Sequence, residues 1–246
     1  MTEGDTRLPS TDMIRKHGGE LVAYVRSNFP MRFYAGEQWW STFAAASVLR
    51  MADTVDHIIT ELGTMSNGDS LTLVRVVYEQ GVTLCWVAID PESHHGQWRA
   101  HALASDSKLR ADIERFGAKL DPIPEPDKSA VGLPSMDQRA EESDQHWHGK
   151  VAGLHAGTHL FSFRGLYAAL YRTASRPAHA SYGAVAEYVD DGARPVVVRS
   201  PTASEPGLAV LAVPLLGMTL AVLASRVQWI NEDSVREIVG RLHVPG

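Results

Sequence analysis

Hydrophobic residues recur every three or four positions along most of this chain, and that period predicts helices. A first helix is expected from a Ser10 or Thr11 cap to about Phe29, where Pro30 stops it. A long second helix, from about Arg32 to Leu62, carries an apolar face that includes Trp39, Trp40, Phe43, Val48, Met51, Val55 and Ile59. Residues 63–68 form a connector with the turn pair Asn67-Gly68. A third helix, capped by Asp69 or Ser70, then runs to about Ile89. It is apolar nearly all round, which is the signature of a central helix. Asp90-Pro91 stops it and restarts a more charged fourth helix, from about Glu92 to Lys119.

From 121 to 145 the pattern gives way to Pro, Asp, Glu, Ser and Gly, the composition of a long, partly mobile surface loop. Helices resume near His146 or Gly153 and continue, with a break, to Val189. Residues 195–199 suit a short strand or an extended arm. Two last helices cover Leu208 to Trp229 and Glu232 to Leu242. The fold class expected is all-α: a helical bundle of four core helices with accessory helices, one domain over 1–246 with a polar tail at 1–9.

One segment tests that reading. Residues 206–225 carry no charge and approach the ~20 residues of a bilayer span. Yet the segment is rich in Ala and interrupted by Pro214 and Gly217. A helix buried on all sides is expected there, with no stable membrane insertion.

Composition adds exclusions. In 246 residues, a hydrophobic fraction of 44% and a charged fraction of 21% are ordinary for a globular protein. A net charge of −6 argues against a globally basic nucleic-acid binder and leaves room for a local basic patch. Cys85 is the one cysteine, so neither a disulfide framework nor a thiolate metal cluster is available. This, with a polar N-terminus lacking the apolar run of a secretory signal, leads us to expect a cytoplasmic location. The sequence contains no Gly-x-x-x-x-Gly-Lys-Ser/Thr loop, Gly-x-Gly-x-x-Gly, Gly-x-Ser-x-Gly or His-Glu-x-x-His.

Four groups of polar residues are candidates for chemistry. Arg75 and Glu79 lie four apart on the apolar third helix, with Thr72, Thr83 and Trp86 near the same stripe. They form either a structural ion pair or a pocket floor, where Arg75 binds an anion and Glu79 orients it or acts as a base. Tyr171, Ser175 and His179 share a stripe at steps of four, with Arg172 and Arg176 interleaved and Pro177 breaking the helix beside His179. His179 is either a hydrogen-bonded core histidine or a proton carrier. His146, His148, His155 and His159, and separately Glu92 with His94 and His95, include metal-ligand spacings. They fall short of a ferritin-like set, so neither a metal nor another cofactor is expected. Arg50, Asp53 and His57 could let an acid hold an imidazole, or could be exposed salt links.

Two of these segments together resemble a bacterial family catalogued as domain of unknown function 5677. The matching residues are Leu73-Val-Arg75-Val-Val-Tyr78-Glu79 through Asp90-Pro91, then Tyr171, Ser175 and His179. That family's helical arrangement is similar to the HEPN superfamily, many of whose members are metal-independent ribonucleases of toxin and anti-phage systems. There an Arg and a His meet across a dimer; the Arg holds the phosphate and the His helps activate the ribose 2′-hydroxyl. The resemblance implies Arg172 and His179 as catalytic residues; we expect Glu79 to act with them, and Arg75, Tyr171, Ser175 and Arg176 to bind the substrate. It also implies RNA or a nucleotide phosphate as ligand, and a homodimer. Two departures stand out: Pro177 lies inside the motif, and Thr173 replaces the usual polar amide or acid after the Arg. A non-enzymatic scaffold, with the same residues as a polar clamp, is the alternative; a metal-dependent helical enzyme is the third.

Overall fold

In the computed structural model the residues described are 10–32, 39–117, 119, 132–152, 162–172, 189–190, 197–198 and 207–241. Helix α1 is Thr11–Ser27, capped by the Ser10 hydroxyl, which accepts from the Met13 N–H. Its apolar stripe of Ile14, Leu21, Val22 and Val25 is buried. Helix α2, Trp39–Thr60, buries Ala44, Val48, Met51, Ala52, Val55, Ile58 and Ile59 as the periodicity predicts. Trp39 departs from that stripe and is 39% exposed. The chain leaves α2 through Gly63, whose φ of +92° is a left-handed conformation that a side chain would strain. Arg15 of α1 closes the same end by donating to the carbonyls of Ile59 and Leu62.

Helix α3, Asn67–Ile89, starts earlier than expected. Asn67-Gly68 is its first turn and not a connector, because Ser66 caps it: the Ser66 hydroxyl accepts from the Asp69 N–H and donates to the Asp69 carboxylate. As expected, α3 is central, packing against α2, α4 and α5. Asp90 caps α4, Pro91–Arg115, with Pro91 in its first turn.

The expected surface loop is corrected by the next element. Helix α5 is Met136–Ala152, so residues 136–145 are helical; 121–131 lie outside the described residues. A reciprocal cap starts it: the Ser135 N–H donates to the Gln138 side chain, and the Gln138 N–H donates to the Ser135 hydroxyl. Its buried stripe is Arg139, Ala140, Ser143, Trp147 and Val151. Polar residues occupy core-facing positions there, which disguised the period.

A short helix α6, Phe163–Leu166, runs into a π-helical turn, Tyr167–Arg172. Val189–Asp190 (β1) and Val197–Val198 (β2) pair antiparallel, in register Val189 to Val198. This places strand within the expected extended arm, whose other residues lie outside the described set. A 3₁₀ turn, Gly207–Leu211, leads into α7, Ala212–Leu223, and the chain's last described helix is α8, Glu232–Gly240. Every residue of α7 is buried, so the uncharged segment is the core helix the sequence suggested. It packs on α1, α2, α3, α5 and α8. By length and composition one described helix, α3, could cross a bilayer, and 61% of its apolar window is buried within the fold. The architecture is an all-α bundle.

Small residues set how closely these helices approach. A Cβ on Gly217 would lie 2.5 Å from Val239 Cγ2 of α8. One on Gly81 would lie 2.7 Å from Thr219 Oγ1 of α7. Gly217→Ala should therefore destabilise the fold by about 1–3 kcal/mol in chemical denaturation. Adding Val239→Ala should recover part of the loss; purely additive losses would show that the two positions do not press on each other. A charged link joins α5 to α8: Lys150 Nζ lies 2.8 Å from Glu232 Oε2. Hydrogen bonds from Lys150 and Arg236 hold the Glu232 carboxyl below its usual value of 4.5. A carboxyl lowered on folding stabilises above its unfolded value, and that stabilisation is lost as pH falls through the folded value. Glu232→Gln should thus lower Tm at pH 7 and have a shrinking effect as pH drops below about 4.5.

Candidate active site on α3

The sequence-predicted pair forms. Arg75 Nε donates to Glu79 Oε1 at 2.8 Å, with side-chain exposures of 22% and 36%. The pair is half-buried, not enclosed in the core. The Arg75 guanidinium lies 4.5 Å from the ring centroid of Tyr171 and donates through Nη2 to the Tyr171 hydroxyl at 3.4 Å. Burial opposes its charge, and the Glu79 bond and charge outweigh that, so its pKa is raised. Tyr171 in turn stacks on Tyr167, with centroids 5.1 Å apart. The π turn thus brings Tyr171 to the Arg75-Glu79 face. Arg172 follows it on the same turn. Ser175, Arg176 and His179 lie outside the described residues, as do His155 and His159.

Arg139 of α5 is the residue the sequence reading missed. It is 8% exposed and donates through Nη1 to Thr83 Oγ1 at 2.7 Å. Its Nε is buried without a hydrogen-bond partner among the described residues. Burial lowers its pKa, and the nearby charge of Glu79 works the other way. A guanidinium that is buried without a direct carboxylate partner is costly. The Ser135–Gln138 cap and the face shared with Trp147 and Val151 were the available signals. On the same helix, Asp144 accepts from the N–H groups of Phe163 and Arg164, both at 2.8 Å, and so caps α6. Burial pushes its carboxyl up. The Tyr78 hydroxyl, donating to the Phe163 carbonyl at 2.7 Å, ties α6 to α3; burial raises its pKa.

Beside Glu79 opens a cleft of about 320 Å³. Helix α2 contributes Phe43, Ser47 and Arg50; α3 contributes Val76, Glu79, Gln80, Thr83 and Leu84; α4 contributes Trp98. Glu79 is thus bonded to Arg75, shares the cleft with Arg50, and acts electrostatically on the buried Arg139.

A family model described as "Family of unknown function (DUF5677)" matches residues 42–194. The chain belongs to this family. No curated protein and no solved structure matches it. The DUF5677 match spans Glu79, Arg139, Tyr171 and the cleft residues from α2 to α4.

Other candidates resolve differently. Asp53 does not hold His57: it accepts from Arg26 of α1 at 2.7 Å, and Arg26 also reaches Asp56 at 2.8 Å, so these residues tie α1 to α2. His94 stacks on Trp86 at 3.9 Å, with Nδ1 2.8 Å from the Trp86 carbonyl. His146 sits edge-on to Trp147. Among the described residues no group of three or more His, Cys, Asp or Glu is placed to hold a metal.

Arg139 separates clamp from site. Arg139→Met keeps the volume and removes an incompletely paired buried cation. If the guanidinium is kept for a ligand, stability in denaturant should stay within about 1 kcal/mol of the parent or rise. A loss of ~3 kcal/mol or more would make it a structural clamp.

Proposed function

We propose that this chain binds a phosphate group of an RNA or a nucleotide at the face of α3 that carries Arg75 and Glu79, using arginines. The observation that carries this reading is that Arg75 bonds Glu79 on a half-buried face of α3, while Arg50 lines the cleft beside Glu79 and the buried Arg139 bonds Thr83 one turn along the same helix. Guanidinium groups present paired donors that match phosphate oxygens, and they are worth more when partly desolvated. In this reading Glu79, bonded to Arg75, is the group an anionic ligand would displace or bridge. This makes the site an anion site with an internal counter-ion.

The finer form of the proposal is a HEPN-like, metal-independent ribonuclease acting as a cytoplasmic homodimer in a toxin or defence setting. Arg172 would hold the scissile phosphate, and His179 would take the proton of the ribose 2′-hydroxyl as that oxygen attacks phosphorus and the 5′-oxygen leaves. Ser175 and Arg176 would add contacts to the same phosphate. Its support is the sequence spacing, together with the position of Arg172 directly after the tyrosine that lies against Arg75.

A second reading is favoured by how fully Arg75 is engaged: it is bonded to Glu79 and stacked on Tyr171. In that reading the residues are a polar clamp in a non-enzymatic scaffold.

Fluorescence anisotropy with a labelled single-stranded RNA, run over a series of salt concentrations, separates the two. Arg50→Ala, an exposed position, should weaken binding and reduce the salt slope by about one. Glu79→Gln should tighten binding, since it frees the arginines of their counter-ion. Parent-like affinity and slope in both variants would favour the clamp. For the catalytic form, His179→Ala should abolish RNA cleavage while remaining folded; equal cleavage by both proteins would remove it.

A further inference from the structure

The first turns of α4 are tied to the bundle: His94 stacks on Trp86 of α3, and Trp98 packs on Phe43 of α2. Ala100 is the one buried residue of α4, and from His101 to Arg115 every side chain is exposed or half-buried. A stretch of helix that faces only solvent has no need of an apolar stripe. This one has a stripe. Ala102, Asp106, Leu109, Ile113 and Phe116 recur at steps of four and three, the spacing that aligns side chains along one helix face. Leu109 is 58% exposed, and Phe116, at the helix end, is 92% exposed. Large apolar side chains left open at coiled-coil spacing mark a seam for another helix.

The charges beside the stripe say which helix. At about 100° per residue, Asp106 and Arg110 flank it on one side, and Lys108 and Asp112 on the other. Consider a second α4 running antiparallel, with the two Leu109 side chains meeting at a two-fold axis. Each flank then faces its own counterpart. Arg110 meets Asp106 of the second copy, Lys108 meets Asp112 of the second copy, and symmetry repeats both pairs. Asp112 also pairs with Arg115 of its own helix at 3.0 Å, and a carboxylate has lone pairs enough for both cations. Ala102 comes opposite Phe116, a small side chain against a bulky one. A parallel pairing would instead set Asp106 beside Asp106 and Arg110 beside Arg110. The face is complementary to itself in one orientation, as an isologous contact requires.

We infer that the C-terminal half of α4 is a docking surface for a second copy of this chain, paired antiparallel about Leu109. The dimer that the family resemblance implies is a different one. It joins Arg172 of one copy to His179 of another, and α4 carries neither residue. Asp106 lies in the seam, where a polar residue lowers affinity and fixes orientation, since the antiparallel arrangement is the one that gives it a cation. Four turns of paired helix make a small interface, so the dimer should be half-formed at roughly 10–100 µM.

Sedimentation velocity of the full chain across and above that range tests the inference. The parent should pass from monomer to dimer, and Leu109→Lys, at an exposed position, should stay monomeric with an unchanged circular dichroism spectrum. Lys108→Glu should weaken the dimer at least about tenfold, and adding Asp112→Lys should restore it. This charge swap carries the test if Leu109→Lys disturbs the fold. Orientation is read with a short bismaleimide cross-linker, to which the fully buried Cys85 is inaccessible. Leu109→Cys should link to itself. Ala102→Cys and Phe116→Cys should link to each other when mixed, and neither should link alone. A parent that stays monomeric throughout overturns the inference, as does a dimer that persists in Leu109→Lys. Self-linking of Ala102→Cys or Phe116→Cys overturns the antiparallel pairing.

Discussion

Helix α3 has to satisfy polar groups in the middle of the fold, and the way it does so organises what surrounds it. Along its contact with α5, three side-chain bonds run in succession: Arg139 to Thr83, Trp147 to the Cys85 carbonyl, and Trp86 to Glu142. Each pairs a group that would be expensive to bury alone. Together they fix the register of α5 on α3 more narrowly than apolar packing would, since hydrogen bonds are directional and contact between aliphatic side chains is not. Cys85, in the middle of this seam, is fully buried, and burial pushes its thiol well above the usual range, so it behaves as an inert core residue.

The seam also decides where the candidate site can be. Once α5 is pinned at Thr83, Arg139 is held beside Glu79, and Asp144 is held where it caps α6. The cap and the Tyr78–Phe163 bond in turn deliver the π turn, with Tyr171, to Arg75. A polar network that locks helices thus doubles as the frame that positions arginines. The same bonds can serve stability and binding, which is why removing one guanidinium without changing volume is more informative than truncating it.

The sequence made α1, α3 and α7 legible because apolar side chains mark their buried positions, and α4 because Asp90 and Pro91 are strong start signals, as Ser10 is for α1. It hid the first ten residues of α5, where Arg139, Ala140 and Ser143 face inward and the acids Asp137, Glu141 and Glu142 dominate the composition. Hydropathy counts inward polar residues as solvent-facing, so the period vanished. The Arg75-Glu79 pair was readable because both partners sit on one helix, four residues apart. Arg139 was not, since its approach to that pair depends on how two helices dock. Phe43 read as a core residue for the same reason: nothing local says that it lines a cleft.

The π turn at Tyr167–Arg172 has one further implication. A turn closed one residue wider than an α-helical turn holds an extra residue, and everything after it is rotated by about 100° relative to a regular helix. The facing of Tyr171 toward Arg75 is therefore a product of chain length within six residues, independent of which side chains fill them. The length of this segment, as well as its residue identities, thus determines which side chain lies against Arg75.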